Sequence, residues 1–296
     1  MRYLLHTMAT PTLGVPEALD LARDLKLDGL DLICQAGYPC ALEPDAPVKK
    51  ARTLFYEAEA RNLVIGAFTP YEKRFNSAVA VERGHALDAL LHAIDLAAAL
   101  GAKSIRVPAG NAVPAEEWKP ALDRMTPILR GAAAHADAAG IALNLENHDG
   151  TMADSAERTR IIQKTVDCRN VGIIYDPANL IRDSKEDFPE SFDLQADAIN
   201  LVHVKDYAFV AGEKRIAENG ACRRSTPVGE GDIPWADIME ALVRHGWDDD
   251  VTYEYEMRWV PDQLPPTPVG IARSHAYFSD LMRRLRTRHP EQRRTP

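Results

Sequence analysis

A chain of 296 residues, 46% of them hydrophobic and 27% charged, has enough apolar material to build a large core, and it contains no uninterrupted apolar run of membrane-spanning length. The net charge of -9 argues against a nucleic-acid partner, whose phosphates call for a basic surface. Charge is uneven: from Arg283 to Pro296 six arginines face one acid, so this end carries +5 and the rest of the chain -14. A short basic end of that kind is expected to be solvated and frayed.

The opening residues Met1-Arg2-Tyr3-Leu4-Leu5-His6 lack the apolar length and cleavage pattern of a secretory signal, so a cytoplasmic location is expected. The four cysteines, Cys34, Cys40, Cys168 and Cys222, form no C-x-x-C pair and read as reduced thiols.

In chain order, short β-rich apolar runs alternate with longer helical stretches. The expected strands are Tyr3–His6, Gly29–Ile33, Val64–Phe68, Ser104–Val107, Ala142–Leu145, Gly172–Tyr175, Leu201–Val204 and Val251–Glu254. Helical periodicity marks Val81–Leu100, Ala115–Ala139, Trp235–His245 and Ile271–Arg286, and Gly101 and Gly140 stand where helices must end. Eight such units can form a closed barrel or an open doubly wound sheet. The first strand is followed by neither G-x-G-x-x-G nor a P-loop, which removes the usual mark of the open nucleotide-binding sheets. The expectation is an α/β protein, a single (β/α)₈ barrel over residues 1–288, with 289–296 as a basic tail.

Barrels place their chemistry at the C-terminal ends of the strands. Four successive strands end in polar residues: Leu145-Glu146-Asn147-His148, Tyr175-Asp176-Pro177, Val202-His203-Val204-Lys205-Asp206 and Tyr253-Glu254-Tyr255-Glu256. One acid at a strand end is easily a solvated cap, since about a quarter of residues in any chain are charged. Four in succession point to a shared purpose. Three gathered carboxylates repel one another, and a divalent cation removes that cost. Oxygen-rich ligation with one imidazole suits Mn²⁺ first, or Mg²⁺, and is compatible with Co²⁺ and Zn²⁺.

These strand ends, with Asp176-Pro177-Ala178-Asn179 and Val228-Gly229-Glu230-Gly231-Asp232-Ile233-Pro234-Trp235, resemble the xylose-isomerase-like barrel superfamily of sugar isomerases and epimerases, which also includes type IV apurinic endonucleases. The resemblance implies that Glu146, Asp176, His203 and Glu254 hold one metal ion. It also implies that Glu146 and Glu254 exchange a proton with a ketose or related polyol through a metal-bound cis-enediolate. Alternation would put Glu254 and Glu256 on one face, and Glu254 is preferred from its spacing after Gly246-Trp247-Asp248. The chain departs from the ketose 3-epimerase pattern at Asn179, where a histidine is common, at Lys205, where an arginine is expected nearby, and at Asn147-His148. Members with Glu-Asn-His here resemble a broader set, so a lyase or dehydratase acting on a keto-sugar or keto-cyclitol is the alternative. The endonuclease branch would need more strand-end histidines and a basic groove. Relatives are often dimers or tetramers, so a homo-oligomer with a small carbohydrate as substrate is expected.

Further candidates follow from position. His148 and Lys205 are assigned to catalysis, as acid/base and as a binder of substrate oxygen; their alternatives are a loop histidine and an ion pair with Asp206 or another acid. His6, Arg106, Asn179, Tyr38 and Trp259 are assigned to substrate, with Arg106 also able to neutralise Glu146 and Trp259 able to wall a sugar ring or simply pack. The long stretch from Tyr207 to Trp235, with Lys214, Arg215, Arg223 and Arg224, is preferred as a solvated loop over an anion-binding cover.

Overall fold

A computed structural model describes residues 1–181, 186–209 and 223–288. The eight expected strands all form, as β1 (Tyr3–His6), β2 (Gly29–Cys34), β3 (Val64–Pro70), β4 (Ser104–Val107), β5 (Ala142–Glu146), β6 (Val171–Tyr175), β7 (Ile199–Val204) and β8 (Asp250–Tyr253). Each lies parallel to its neighbours, and β1 pairs with both β2 and β8, which closes the sheet. The fold is therefore a single-domain (β/α)₈ barrel. Helices between strands include α1 (Val15–Asp24), α2 (Val48–Glu59), α3 (Ala80–Leu100), α4 (Ala115–Ala138), α5 (Ala156–Val166), α6 (Trp235–Arg244) and α7 (Thr267–Arg288). The tail expected over 289–296 lies outside the described residues.

Alternation along the strands divides the apolar residues into two cores. Val202, Val204 and Val251 face outward into the large layer between sheet and helices, which also holds Leu90, Ile94, Trp235 and Phe278. Leu4, Ala67, Ile174 and Leu201 point inward and fill part of the barrel's own interior. His203 lies two residues beyond Leu201, so the alternation that buries the leucine also turns the imidazole inward.

Gly29 faces Val64 across the β2–β3 ladder, and a Cβ there would lie 1.9 Å from the Val64 carbonyl oxygen. Backbone cannot swing aside as a flexible side chain can. Gly29→Ala is therefore expected to cost roughly 3 kcal/mol by strand separation, measured as a lower midpoint in urea unfolding; an unchanged midpoint would show that β2 tolerates the shift.

Two further pieces were not anticipated. Ala41–Leu42 adds a short parallel strand beside β2. Asp206–Phe209 and Arg223–Thr226 pair antiparallel, so these two described segments of the stretch after β7 are strands rather than plain solvated loop. Lys214 and Arg215 lie outside the described residues.

Candidate functional site

Strands β5, β6, β7 and β8 are consecutive neighbours, and each delivers one polar side chain to the C-terminal mouth. Glu146 ends β5, Asp176 follows β6, His203 lies inside β7 and Glu254 follows β8. One ligand atom from each falls within 4.8 Å of the others, and all four residues are buried. Glu256 lies apart, its carboxylate accepting a hydrogen bond from Ser225 Oγ at 2.9 Å.

The charges in this cluster are paired in detail. Arg106 Nε lies 2.5 Å from Glu146 Oε2, and its guanidinium sits 5.0 Å from the centre of the Tyr71 ring. Arg106 thus neutralises Glu146. Lys205 Nζ lies 2.8 Å from Asp176 Oδ2 and also contacts Glu254 Oε2. His203 Nδ1 is 3.0 Å from Glu146 Oε1 and 3.7 Å from Glu254 Oε1.

Burial opposes every one of these charges, and the neighbours decide the outcome. Desolvation raises Glu254, but Lys205 and His203 outweigh it and hold the carboxyl at about 2. Burial likewise opposes ionisation of Glu146, and Arg106 and His203 hold it well below the usual carboxylate range. Asp176 goes the other way: burial, supported by Glu254 and Glu146, outweighs Lys205 and lifts it to about 6. Burial lowers His203, yet the surrounding carboxylates push it up to about 10.

Local structure explains how Lys205 is held. Asp206 does not pair with it, contrary to one alternative raised by the sequence. The Asp206 carboxylate accepts from the backbone N–H groups of Tyr207, Gly229, Gly231 and Ile233, at 2.9 to 3.2 Å. Trp235 Nε1 donates to the Lys205 carbonyl at 3.1 Å. The Val228–Trp235 motif is thus a clasp on the end of β7. A Cβ on Gly231 would meet the Asp206 carboxylate at 2.2 Å, which explains the glycine.

Above the cluster opens a cavity of about 560 Å³, lined among others by Arg106, His148, Arg223, Glu254 and Trp259. His148 engages Asp149, with Nδ1 2.9 Å from Oδ1. Trp259 is 55% exposed, so core packing does not account for it. Arg258 is stacked against both Tyr38 and Trp259, 3.6 and 4.3 Å from the ring centres, and donates to Gln35 Oε1. Tyr38 therefore braces the rim through Arg258. His6 is fully buried, its ring 5.7 Å from that of His203. Asn179 lies behind Asp176: its N–H donates to Asp176 Oδ1 and its side chain to the Asn147 carbonyl, each at 2.9 Å.

Sequence reasoning missed Asp31, Tyr71 and Arg258. Asp31 stands between two leucines in a strand whose six residues are all buried, and that burial carries no mark in the sequence.

The family description "Xylose isomerase-like TIM barrel" matches residues 19–282. The chain belongs to that family. No curated protein matches. Among solved structures it is similar to an L-ribulose 3-epimerase (16% identity, 100% of this chain and 99% of that one, TM-score 0.76). It is also similar to the IOLI protein with a bound zinc atom (15%, 95% and 98%, TM-score 0.74). A third is AsbF from Bacillus anthracis, a probable 3-DHS dehydratase (16%, 94% and 99%, TM-score 0.70). At such identities these similarities speak for the fold.

Proposed function

We propose that the chain is a divalent-metal-dependent isomerase or epimerase of a ketose or related polyol. The observation that carries this reading is the convergence of Glu146, Asp176, His203 and Glu254 within 4.8 Å at the mouth of the barrel. The donor set fits such an ion: three carboxylates and one imidazole suit Mn²⁺ above a softer metal, and the ion would add to the offset that Arg106, Lys205 and the imidazole give the cluster's carboxylates. A divalent ion held there would polarise a carbonyl oxygen and acidify the adjoining C–H.

The chain's own residues divide the proton work. Glu254 lines the cavity and takes the proton from carbon. Glu146, on the same Nδ1 edge of His203 and oriented by Arg106, is the second carboxylate, and passes a proton taken up from water to carbon. Lys205, once released from its carboxylates, binds a substrate oxygen in this reading. Trp259 offers an apolar wall to the sugar ring. The sugar epimerases among similar structures support this reading.

Elimination is the second reading, and His148 favours it. This side chain lines the cavity two residues past Glu146, at a position to hand a proton to a departing hydroxyl. A dehydratase of the same fold supports it.

Incubation with ketoses and keto-cyclitols in D₂O and Mn²⁺ tests both. Deuterium on carbon in a product of otherwise unchanged composition is the expected result; loss of water or an aglycone would select elimination. Exhaustive chelation is expected to abolish turnover and Mn²⁺ to restore it, and full turnover in the chelated protein would remove the metal from the mechanism.

A further inference from the structure

Asp31 is a fully buried carboxylate that the proton transfers above do not use. It lies on β2, in register with His6 on β1. Oδ1 accepts from Thr69 Oγ1 of β3 at 2.7 Å, and Oδ2 accepts from Thr252 Oγ1 of β8 at 3.2 Å. The same Oδ2 lies 3.3 Å from His203 Nε2. Thr252 is itself the register partner of His203. Two hydroxyls on different strands therefore fix the carboxylate against one edge of one imidazole.

The opposite edge of that ring faces the cluster, with Nδ1 directed at Glu146 and Glu254. A nitrogen that ligates a metal must present a lone pair, so the ring's proton must sit on the other nitrogen. Asp31 has only acceptors to offer and lies on the Nε2 side. His6 does not compete for that proton. Its Nδ1 accepts from the Met8 N–H at 3.3 Å, so its own hydrogen sits on Nε2 and it presents His203 with no free acceptor.

We propose that Asp31 is the positioning residue of the metal centre, keeping the His203 proton on Nε2 and the Nδ1 lone pair aimed at the ion. This inference rests on the metal reading above. It assigns the buried β2 acid a purpose beyond holding strands together, since a carboxylate behind a ligating histidine fixes both tautomer and ring orientation.

Titration of metal-stripped protein with Mn²⁺ tests it without recourse to turnover. Asp31→Asn keeps the size of the side chain while removing its charge. The variant is expected to bind Mn²⁺ about 10- to 100-fold more weakly, with the circular dichroism of the folded barrel retained. Wild-type affinity in the folded variant would overturn the proposal, whereas a wild-type protein that takes up no Mn²⁺ would overturn the metal reading beneath it. Nitrogen-15 NMR of histidine-labelled, Zn²⁺-loaded wild-type protein serves if the variant does not fold. The expected spectrum has His203 protonated at Nε2 and metal-shifted at Nδ1; the reverse assignment would overturn the proposal. A purely structural Asp31 would leave the Mn²⁺ affinity of the folded variant at the wild-type value.

Discussion

Glu254→Gln is expected to slow proton exchange between substrate carbon and solvent by about 10²- to 10⁴-fold, the usual worth of a positioned general base. Gln is nearly isosteric, so the effect comes from chemistry rather than packing. Glu254 is the carboxylate of the cluster that reaches the cavity, and its backbone N–H is anchored to the Val204 carbonyl at 3.0 Å. The amide can still meet Lys205 but cannot accept a proton. Deuterium incorporation measured by mass spectrometry in D₂O, with Mn²⁺ saturating both proteins, separates loss of the base from loss of the ion. An exchange rate equal to wild type would eliminate Glu254 as the base. Glu256→Gln is the matched control, because Glu256 bonds to Ser225 outside the cluster and its loss is expected to leave exchange far less affected.

That contrast marks one limit of reading this fold from its sequence. Alternation along an ideal strand would place Glu254 and Glu256 on one face, and the sequence could separate them only by spacing. In the structure β8 ends at Tyr253. Beyond it both glutamates still line the cavity, and what separates them is partnership: Glu254 joins the four-residue cluster, whereas Glu256 accepts from Ser225. By contrast, the strands themselves were legible, because Val202 and Val204 on either side of His203 leave the imidazole no direction but inward. Asp31 was harder. Between Leu30 and Leu32 it reads like the solvated face of a half-exposed strand, and only closure of the sheet through the β1–β2 pairing turns that face into the barrel. The antiparallel pair after β7 escaped notice for a related reason: Arg223-Arg224-Ser225-Thr226 is polar, and its strand character comes from pairing with Asp206–Phe209 rather than from an apolar pattern. The Lys205 contacts with Asp176 and Glu254 join three strands, so they follow from the dimensions of the closed barrel and from no local pattern.

Those contacts lead to the second large effect. Lys205 is 6% exposed and offsets two buried carboxylates at once. Lys205→Met keeps much of the apolar stem and removes the ammonium, which leaves Asp176 without its ion-pair partner and Glu254 with His203 alone. Breaking a buried ion pair from one side typically costs about 3–5 kcal/mol, and the metal-free variant is expected to lose stability on that scale in urea unfolding. A divalent ion would draw on the same two carboxylates. In the wild-type protein it would compete with the ammonium for them, whereas in the variant it would meet carboxylates already released. Saturating Mn²⁺ is therefore expected to stabilise Lys205→Met more than wild type, as ligand binding to the native state alone requires. Equal stabilisation of the two proteins would mean that the ion and Lys205 do not share these carboxylates. Turnover of the Mn²⁺-saturated variant then separates the two roles of the lysine. A rate restored along with stability would confine Lys205 to balancing charge in the metal-free centre, while a low rate in a fully stable protein would identify it as a residue that acts on the substrate.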